Sequence, residues 1–181
     1  MKKWGYIISA FSLLLCVLAF TNPEKKIEKL VKKVWKGTAL STTKIELDST
    51  IENITELRKI HSLDKTYGFA VYTYSHGCKV GGCSAPGDDV DDSYEIFEYI
   101  VIYDVDLTIL KLDIANYGGE YGYEICRSSW LKQFEGSHRM YELNQNIDGI
   151  SGATVSASYL IDDVNILMKT MKQLKKAGII N

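Results

Sequence analysis

The stretch "YEIFEYIVIYDVDLTILKLDIANY", residues 94–117, contains two runs of apolar, β-branched and aromatic residues around a short turn at residues 104–106. Residues of these types favour extended chain, and two such runs joined by a few turn residues are typical of a β-hairpin. The stretch therefore predicts two antiparallel strands, over residues 94–104 and 107–117.

Two more strands are predicted upstream of this hairpin. "TYGFAVYTY" (66–74) is rich in aromatic and β-branched residues, and "TTKIELDST" (42–50) alternates the apolar Ile45 and Leu47 with polar residues. Both patterns are typical of strands. Between them and the hairpin, residues 75–92 are rich in glycine and aspartate, which indicates a loop.

Helices are predicted before and among these strands. Asn22-Pro23-Glu24 is a typical helix start, with a cap, a proline in the first turn and an acid near the positive end of the dipole. Gly37 can end that helix. "IENITELRKIHSL" (51–63) again has helical spacing and predicts a second helix. The spaced apolar positions are Ile27, Leu30, Val31 and Val34 in the first helix, and Ile54, Leu57 and Ile60 in the second.

The C-terminal part predicts a short helix, "SSWLKQF" (128–134), and a long final helix over residues 151–178 that ends at Gly178. Its expected buried face consists of Val155, Tyr159, Val164, Leu167, Met168, Met171 and Leu174. Together the elements predict an α+β fold: a mostly antiparallel sheet with flanking helices and a long C-terminal helix.

Length and charge narrow the class of protein. The chain has 181 residues and a formal net charge of −2. A charge so nearly balanced argues against nucleic-acid binding, which needs a basic face. We expect residues 1–19 to be a signal peptide or N-terminal anchor, 20–65 a helical N-terminal region and 66–181 the main domain.

The N-terminus predicts export. Lys2-Lys3 precedes an apolar run over residues 6–20, which is shorter than the ~20 residues of a spanning helix and suits a secretory signal. We expect cleavage after Ala19, with an uncleaved anchor as the alternative. Lipid attachment at Cys16 is disfavoured because a bulky leucine precedes it. In either case the main domain lies outside the cytoplasm, since the lysines stay inside.

The segment "DGISGAT", residues 148–154, stands where the long final helix begins. Ser151 is expected to be the N-cap, with Gly152, Ala153 and Thr154 in the first turn. Free N–H groups and the helix dipole make such a place a ready anion site, and small residues let a phosphate approach the backbone. The alternative is a plain serine cap with small residues for close packing.

The same segment resembles the flavinylation motif of the FMN-binding domain family: Asp, two variable residues, Ser or Thr, Gly, Ala, Thr. The family includes the C subunit of the sodium-translocating NADH:quinone reductase and the G subunit of the Rnf electron-transport complex. "YGGEYGYEICRSSWLKQFEG" (117–136) is similar to a second block of the family, although Tyr123 stands where glycine is frequent. The resemblance spans roughly residues 66–175.

The resemblance implies that FMN is attached through its phosphate to Thr154 by a flavin transferase. It identifies residues 66–181 as the FMN-binding domain. Tyr121, Tyr123 and Trp130 are candidates to pack on the flavin ring, with core aromatics as the alternative, and Asp148 is a candidate for recognition by the transferase. The full set of candidate cofactor-binding residues is Asp148, Ser151, Gly152, Ala153, Thr154, Val155, Ser156, Glu120, Tyr121, Gly122, Tyr123 and Trp130.

The implied function is that of an extracytoplasmic electron-transfer flavoprotein, or a subunit of an oxidoreductase, with membrane redox partners. A covalent bond would keep FMN from diffusing away outside the cytoplasm. The alternatives are a flavin-free binding or assembly module of the same fold and, less favoured, a serine hydrolase. A hydrolase is disfavoured because the chain has no Gly-x-Ser-x-Gly nucleophile elbow.

The cysteines beyond the signal segment are Cys78, Cys83 and Cys126. Cys78 and Cys83 share one glycine-rich loop, so in an exported protein we expect them to form a disulfide. Two alternatives remain: a metal site that adds His76, and a redox-active pair that exchanges electrons with the flavin. Cys126 is expected to be a buried thiol.

Overall fold

The computed structural model describes residues 22–79 and 94–181, and within these residues one five-stranded antiparallel sheet carries helices on both faces. The strands pair in chain order, β1-β2-β3-β4-β5, so that each strand neighbours the next one along the chain. This is the α+β fold that the sequence predicts. The strands are β1 (Ser41–Ile45), β2 (Glu56–Ser62), β3 (Lys65–Lys79), β4 (Tyr94–Asp104) and β5 (Ile109–Tyr117).

Four further helical elements follow or precede the sheet in the described residues. They are α1 (Pro23–Val34), a 3₁₀ helix (Tyr123–Cys126), α2 (Ser128–Leu131) with a 3₁₀ extension (Lys132–Phe134), and α3 (Thr154–Lys176). The short helix predicted over residues 128–134 is therefore confirmed. No described helix is long and apolar enough to cross a membrane.

The β4–β5 hairpin is the one predicted from residues 94–117, and Val101 pairs with Leu112 at its centre. Its turn is held by Asp104, whose carboxylate oxygen Oδ1 accepts hydrogen bonds from the N–H groups of Asp106 (2.9 Å) and Thr108 (2.8 Å). Aspartate side chains favour turns for this reason. The turn is thus determined by local sequence.

The sheet is covered on both faces, and each face has its own core. On one face α3 packs against side chains such as Phe69, Val71 and Val101. On the other face α1 packs against Ala70, Ile100 and other residues of the same strands. Neighbouring residues of β3 and β4 are therefore buried on opposite sides, which explains their almost continuous apolar sequences.

The helix predicted over residues 51–63 is wrong, because residues 56–62 form strand β2. Leu57 lies in the core under α3, whereas Ile60 lies in the core under α1. In a strand buried on both faces, apolar residues three apart point to opposite sides. Such spacing resembles that of a helix. Strand β2 is followed, after residues 63–64, by β3, with which it pairs antiparallel.

Helix α1 begins as predicted: the Asn22 side chain accepts a hydrogen bond from the Glu24 N–H (3.0 Å), and a proline follows the cap. It ends at Val34, and Gly37 lies beyond that end in a left-handed conformation. Arg58 of β2 joins the helix to the sheet. Its guanidinium is within 2.5 Å of the Glu24 carboxylate and 2.7 Å of the Glu56 carboxylate.

Helix α3 begins at Thr154, three residues later than predicted, and its N-cap is Ala153 rather than Ser151. No side chain caps this end. The other end agrees with the prediction: Gly178 adopts φ +72°, and the Ile179 N–H donates to the Leu174 carbonyl (3.0 Å) in a Schellman closure.

The expected buried face of α3 is confirmed in its C-terminal part and is only half-buried at its start. Val155 and Tyr159 are partly exposed. The buried members of the predicted face are Val164, Leu167, Met168, Met171 and Leu174.

The predictions for the signal segment, including the cleavage after Ala19 and the lipidation alternative at Cys16, lie outside the described residues.

Candidate functional site

The end of the "DGISGAT" segment forms a tight turn that feeds directly into helix α3. Gly152 has φ +84°, a left-handed conformation that few residues other than glycine adopt. Ala153 is fully buried, and its N–H donates to the Ile150 carbonyl (3.3 Å). Thr154 is then the first helical residue, and it is exposed. The turn therefore presents the threonine at the surface while the alanine anchors it.

The N-terminus of α3 offers backbone donors beside this threonine. The N–H of Ala157 makes an intrahelical bond to the Ala153 carbonyl (2.9 Å). The N–H groups of Thr154, Val155 and Ser156 precede it in the first turn, where no intrahelical acceptor exists. Throughout residues 22–79 and 94–181, the Thr154 hydroxyl makes no hydrogen bond. An exposed hydroxyl thus lies at the positive end of a 23-residue helix.

The motif is held in place by the second block, residues 117–136. The indole N–H of Trp130 donates to the Asp148 carbonyl (2.8 Å), and the Asp148 N–H donates to the side-chain oxygen of Gln133 (2.8 Å). Trp130 is buried and packs edge-on against Phe134. Trp130 therefore positions the start of the motif and has no free ring face for a ligand.

A small polar cluster lies beneath the first turn of α3. The Ser156 hydroxyl is buried and lies 3.1 Å from the Tyr117 hydroxyl and 3.8 Å from the Cys78 sulfur. Tyr117 also donates to the carbonyl of Tyr121. Burial is the main reason why the pKa of Tyr117 is raised. The Ser156 side chain therefore supports the first turn of α3 from inside the fold, and its hydroxyl is not exposed to a cofactor.

Gly122 brings residues 117–126 against this cluster. It caps the 3₁₀ helix with φ +83°, and a Cβ built on it would lie 2.4 Å from Ser156 Oγ and 2.7 Å from Tyr117 Oη. Only glycine fits at this contact, because both the backbone conformation and the space exclude a side chain. The two family-like blocks meet here as well as at Trp130.

Tyr121 and Tyr123 flank Gly122 and expose 47% and 60% of their surface. Glu120 is also exposed, and its N–H donates to Glu95 Oε1 (2.9 Å). These two tyrosines are the candidate aromatic residues whose rings are open to a ligand.

Glu124 adds a negative charge beside the motif. A Cβ on Gly152 would lie 3.1 Å from Glu124 Oε1, and the second oxygen, Oε2, is buried without a hydrogen bond in the part of the chain that the structure describes. An anion at Thr154 has this carboxylate as a neighbour, so the first-turn N–H groups must offset the repulsion.

The sequence predictions for the site have mixed outcomes in the structure. Thr154 and Gly152 are at the surface, together with Asp148 and Ser151, whereas Ala153, Ser156, Gly122 and Trp130 are buried supports. Tyr117 and Gln133 were missed. Their roles depend on contacts with residues 15 to 39 positions away, which no local pattern indicates.

The cysteine predictions are partly outside the described residues. Cys83 is not among the residues that the structure describes, so the disulfide with Cys78 and the alternative metal site with His76 stay predictions. Cys78 is buried, and among the described residues no group of three potential ligands could hold a metal ion. The expectation of a buried Cys126 is wrong, because that residue is exposed at the end of its short helix. Partial burial of its sulfur, with Asp113 and Glu124 nearby, raises the pKa of the thiol.

Comparison with known proteins assigns the chain to no family and to no function. No family model matches this chain, and no curated protein matches it. The resemblance to FMN-binding domains therefore stays a prediction that depends on two short motifs, and the geometry around Thr154 is the remaining basis for a function.

Proposed function

We propose that this chain is an extracytoplasmic flavoprotein that carries FMN on Thr154 through a phosphoester and passes electrons in a membrane-associated redox chain. The observation that carries the proposal is the exposed, unengaged hydroxyl of Thr154 at the start of α3. The hydroxyl follows a left-handed glycine turn in a segment that resembles a flavinylation motif.

The residues around Thr154 fit a phosphoester. The positive end of α3 favours a negative group by about 0.3–1 kcal/mol. The first-turn N–H groups of Val155 and Ser156 can donate to phosphate oxygens, and Gly152 adds no side chain on the exposed side. Glu124, whose carboxylate lies close to Gly152, opposes this attraction.

The residues near the motif also fit a flat aromatic ring. Tyr121 and Tyr123 are half or more exposed beside Gly122, and Gly122 contacts the first turn of α3. Packing against an exposed aromatic surface stabilises a ring in either an offset or an edge-on arrangement. These tyrosines would orient the ring, while Trp130 and Gln133 hold the turn to which the phosphate is attached.

FMN supplies the redox chemistry when it is bound, and the protein supplies attachment, orientation and electrostatics. Attachment at the phosphate leaves the ring chemically unmodified. Contacts of Ser156 with Tyr117 and Cys78 hold the first turn of α3 against the sheet. A fixed turn limits the positions that the attached group can reach.

A flavin transferase is the required partner for this modification. Asp148, Ser151 and Thr154 are all exposed, so an enzyme can reach the segment in the folded domain. Asp148 uses its backbone groups to hold the turn, which leaves its carboxylate available for recognition. Membrane redox partners would exchange electrons with the bound flavin.

Expression together with a flavin transferase tests the proposal. Wild-type protein should show flavin fluorescence on a denaturing gel, and the Thr154→Val variant should show none, because it keeps the shape and lacks the hydroxyl. Ser158→Ala is the matched control, since it removes a nearby hydroxyl that only donates to the Thr154 carbonyl (3.0 Å). Fluorescent Thr154→Val would refute the site, and a wild type without flavin would favour the flavin-free module.

A further inference from the structure

A cleft lies between strand β3 and helix α3, beside Asp163, nine residues along the helix from Thr154. It has a volume of about 210 Å³. Its walls are formed by Glu52, Asn53, Thr73, Tyr74, His76, Tyr99, Asp163 and Ile166.

The carboxylate of Asp163 is the central polar group of this cleft. Its Oδ2 accepts a hydrogen bond from the buried Ser75 hydroxyl at 2.5 Å. No lysine or arginine pairs with Asp163 or with Glu52 in residues 22–79 and 94–181. Burial penalises a carboxylate that has no lysine or arginine beside it, and His76 in the same cleft offsets only part of that penalty.

Aromatic and apolar side chains form part of the remaining wall of the cleft. Tyr74 exposes 50% of its surface and Ile166 exposes 49%. Tyr99 is buried, and its burial, followed by the charge of Asp163, raises its pKa well above the usual value, so its hydroxyl stays neutral. A cation placed here meets a carboxylate and tyrosine rings, which also attract positive charge.

We propose that this cleft binds a small organic cation, a primary alkylammonium whose charged end meets Asp163 and whose apolar part lies against Tyr74 and Ile166. A metal ion fits less well, because the described residues contain no group of three potential metal ligands. Glu52 at the rim adds a second negative charge. The site is separate from Thr154 and does not depend on FMN.

Titration calorimetry of the full exported chain with butylammonium chloride tests this proposal. The titration is run at a fixed pH of about 8. We expect saturable binding of one equivalent, with a dissociation constant of about 1 mM or tighter, as the ligand has few atoms. Butan-1-ol, which has the same apolar chain without the charge, should bind at least tenfold more weakly.

Two variants separate Asp163 from general surface charge. Asp163→Asn keeps the shape and an acceptor for Ser75, and it should weaken butylammonium binding at least tenfold. Asp162→Asn removes the same charge from the exposed neighbour and should change binding less than twofold. Circular dichroism confirms that both variants are folded.

Three results would overturn the inference: no saturable butylammonium binding, equal affinity for butan-1-ol, or equal effects of the two variants. Saturable binding of Ca²⁺ that Asp163→Asn abolishes would also overturn it in favour of a metal. The protein is measured with and without FMN, and the same result in both forms distinguishes this site from the flavin proposal.

Discussion

Gly122 shows how a single residue joins the two halves of the candidate site. Its φ of +83° and the 2.4 Å that would separate an added Cβ from Ser156 Oγ leave no room for alanine. Gly122→Ala should destabilise the protein by about 1–3 kcal/mol, because strained backbone and overlap both add cost. Thermal or urea unfolding measures the change.

Gly118→Ala is the control for this prediction. Gly118 lies four residues earlier, has no positive φ, and an added Cβ would meet nothing within 4 Å. Its change in the free energy of unfolding should stay within about 0.5 kcal/mol. Equal stabilities of the two variants would show that the close contact at Gly122 is absent.

Among the residues of the candidate site, the sequence predicts the exposed ones better than the buried ones that support them. Thr154 is exposed at the start of α3 because a short motif of small residues specifies a tight turn. The sequence leaves Trp130 as either a partner of the flavin ring or a core aromatic, and the structure has it buried and donating to Asp148. A tryptophan side chain suits either role, and only the tertiary contact 18 residues away decides between them.

Strand β2 shows where prediction of elements fails. Leu57 and Ile60 have helical spacing, but each belongs to a different core on opposite faces of the sheet. The hairpin of β4 and β5 was predictable, because Asp104 fixes its turn locally. The start of α3 was placed three residues early, since Ser151 is a favoured cap residue but Gly152 turns the chain before the helix begins.

Arg58 connects elements, and its loss should loosen α1. Arg58→Met leaves Glu56, whose side chain is only 16% exposed, without its partner. We expect a loss of about 1–3 kcal/mol in the free energy of unfolding, the usual cost of an unsatisfied buried group. Lys59→Met, a charge removal at the next position, should cost less than about 0.5 kcal/mol. Urea unfolding that finds equal losses would contradict a special role for Arg58.

Asp163 on α3 should make stability depend on pH. Burial raises the pKa of its carboxyl, and the Ser75 hydroxyl and His76 only partly oppose this, while Asp162 adds to it. The folded state therefore holds the proton more tightly than the unfolded chain. The contribution of Asp163 to stability is full below the unfolded pKa and is lost as pH rises through the raised folded pKa.

Asp163→Asn removes this titration. Relative to wild type, the variant should gain free energy of unfolding as the pH rises from about 4 toward neutrality, where the carboxylate of the wild type ionises. Asp162→Asn should show a weaker dependence. Urea unfolding across that range measures the difference in the free energy of unfolding between Asp163→Asn and wild type. A difference that does not grow with pH would contradict the raised pKa of Asp163.

For the whole molecule, the N-terminal segment predicts export. Lys2-Lys3 followed by a short apolar run over residues 6–20 is the pattern of a segment that directs a protein out of the cytoplasm. Protease added to spheroplasts should digest any protein that is still attached to the membrane, and released protein should be in the outer fraction. A cytosolic marker protein serves as the protected control. Protein protected together with that marker would refute export.

Covalent attachment of one FMN at Thr154 can be measured directly. The most direct measurement is the intact mass of the exported protein made with a flavin transferase, followed by peptide mapping. We expect an added mass equal to FMN less one water on the peptide that contains Thr154, and no addition on the Thr154→Val variant. Unmodified wild-type protein, or the same addition on another residue, would contradict it.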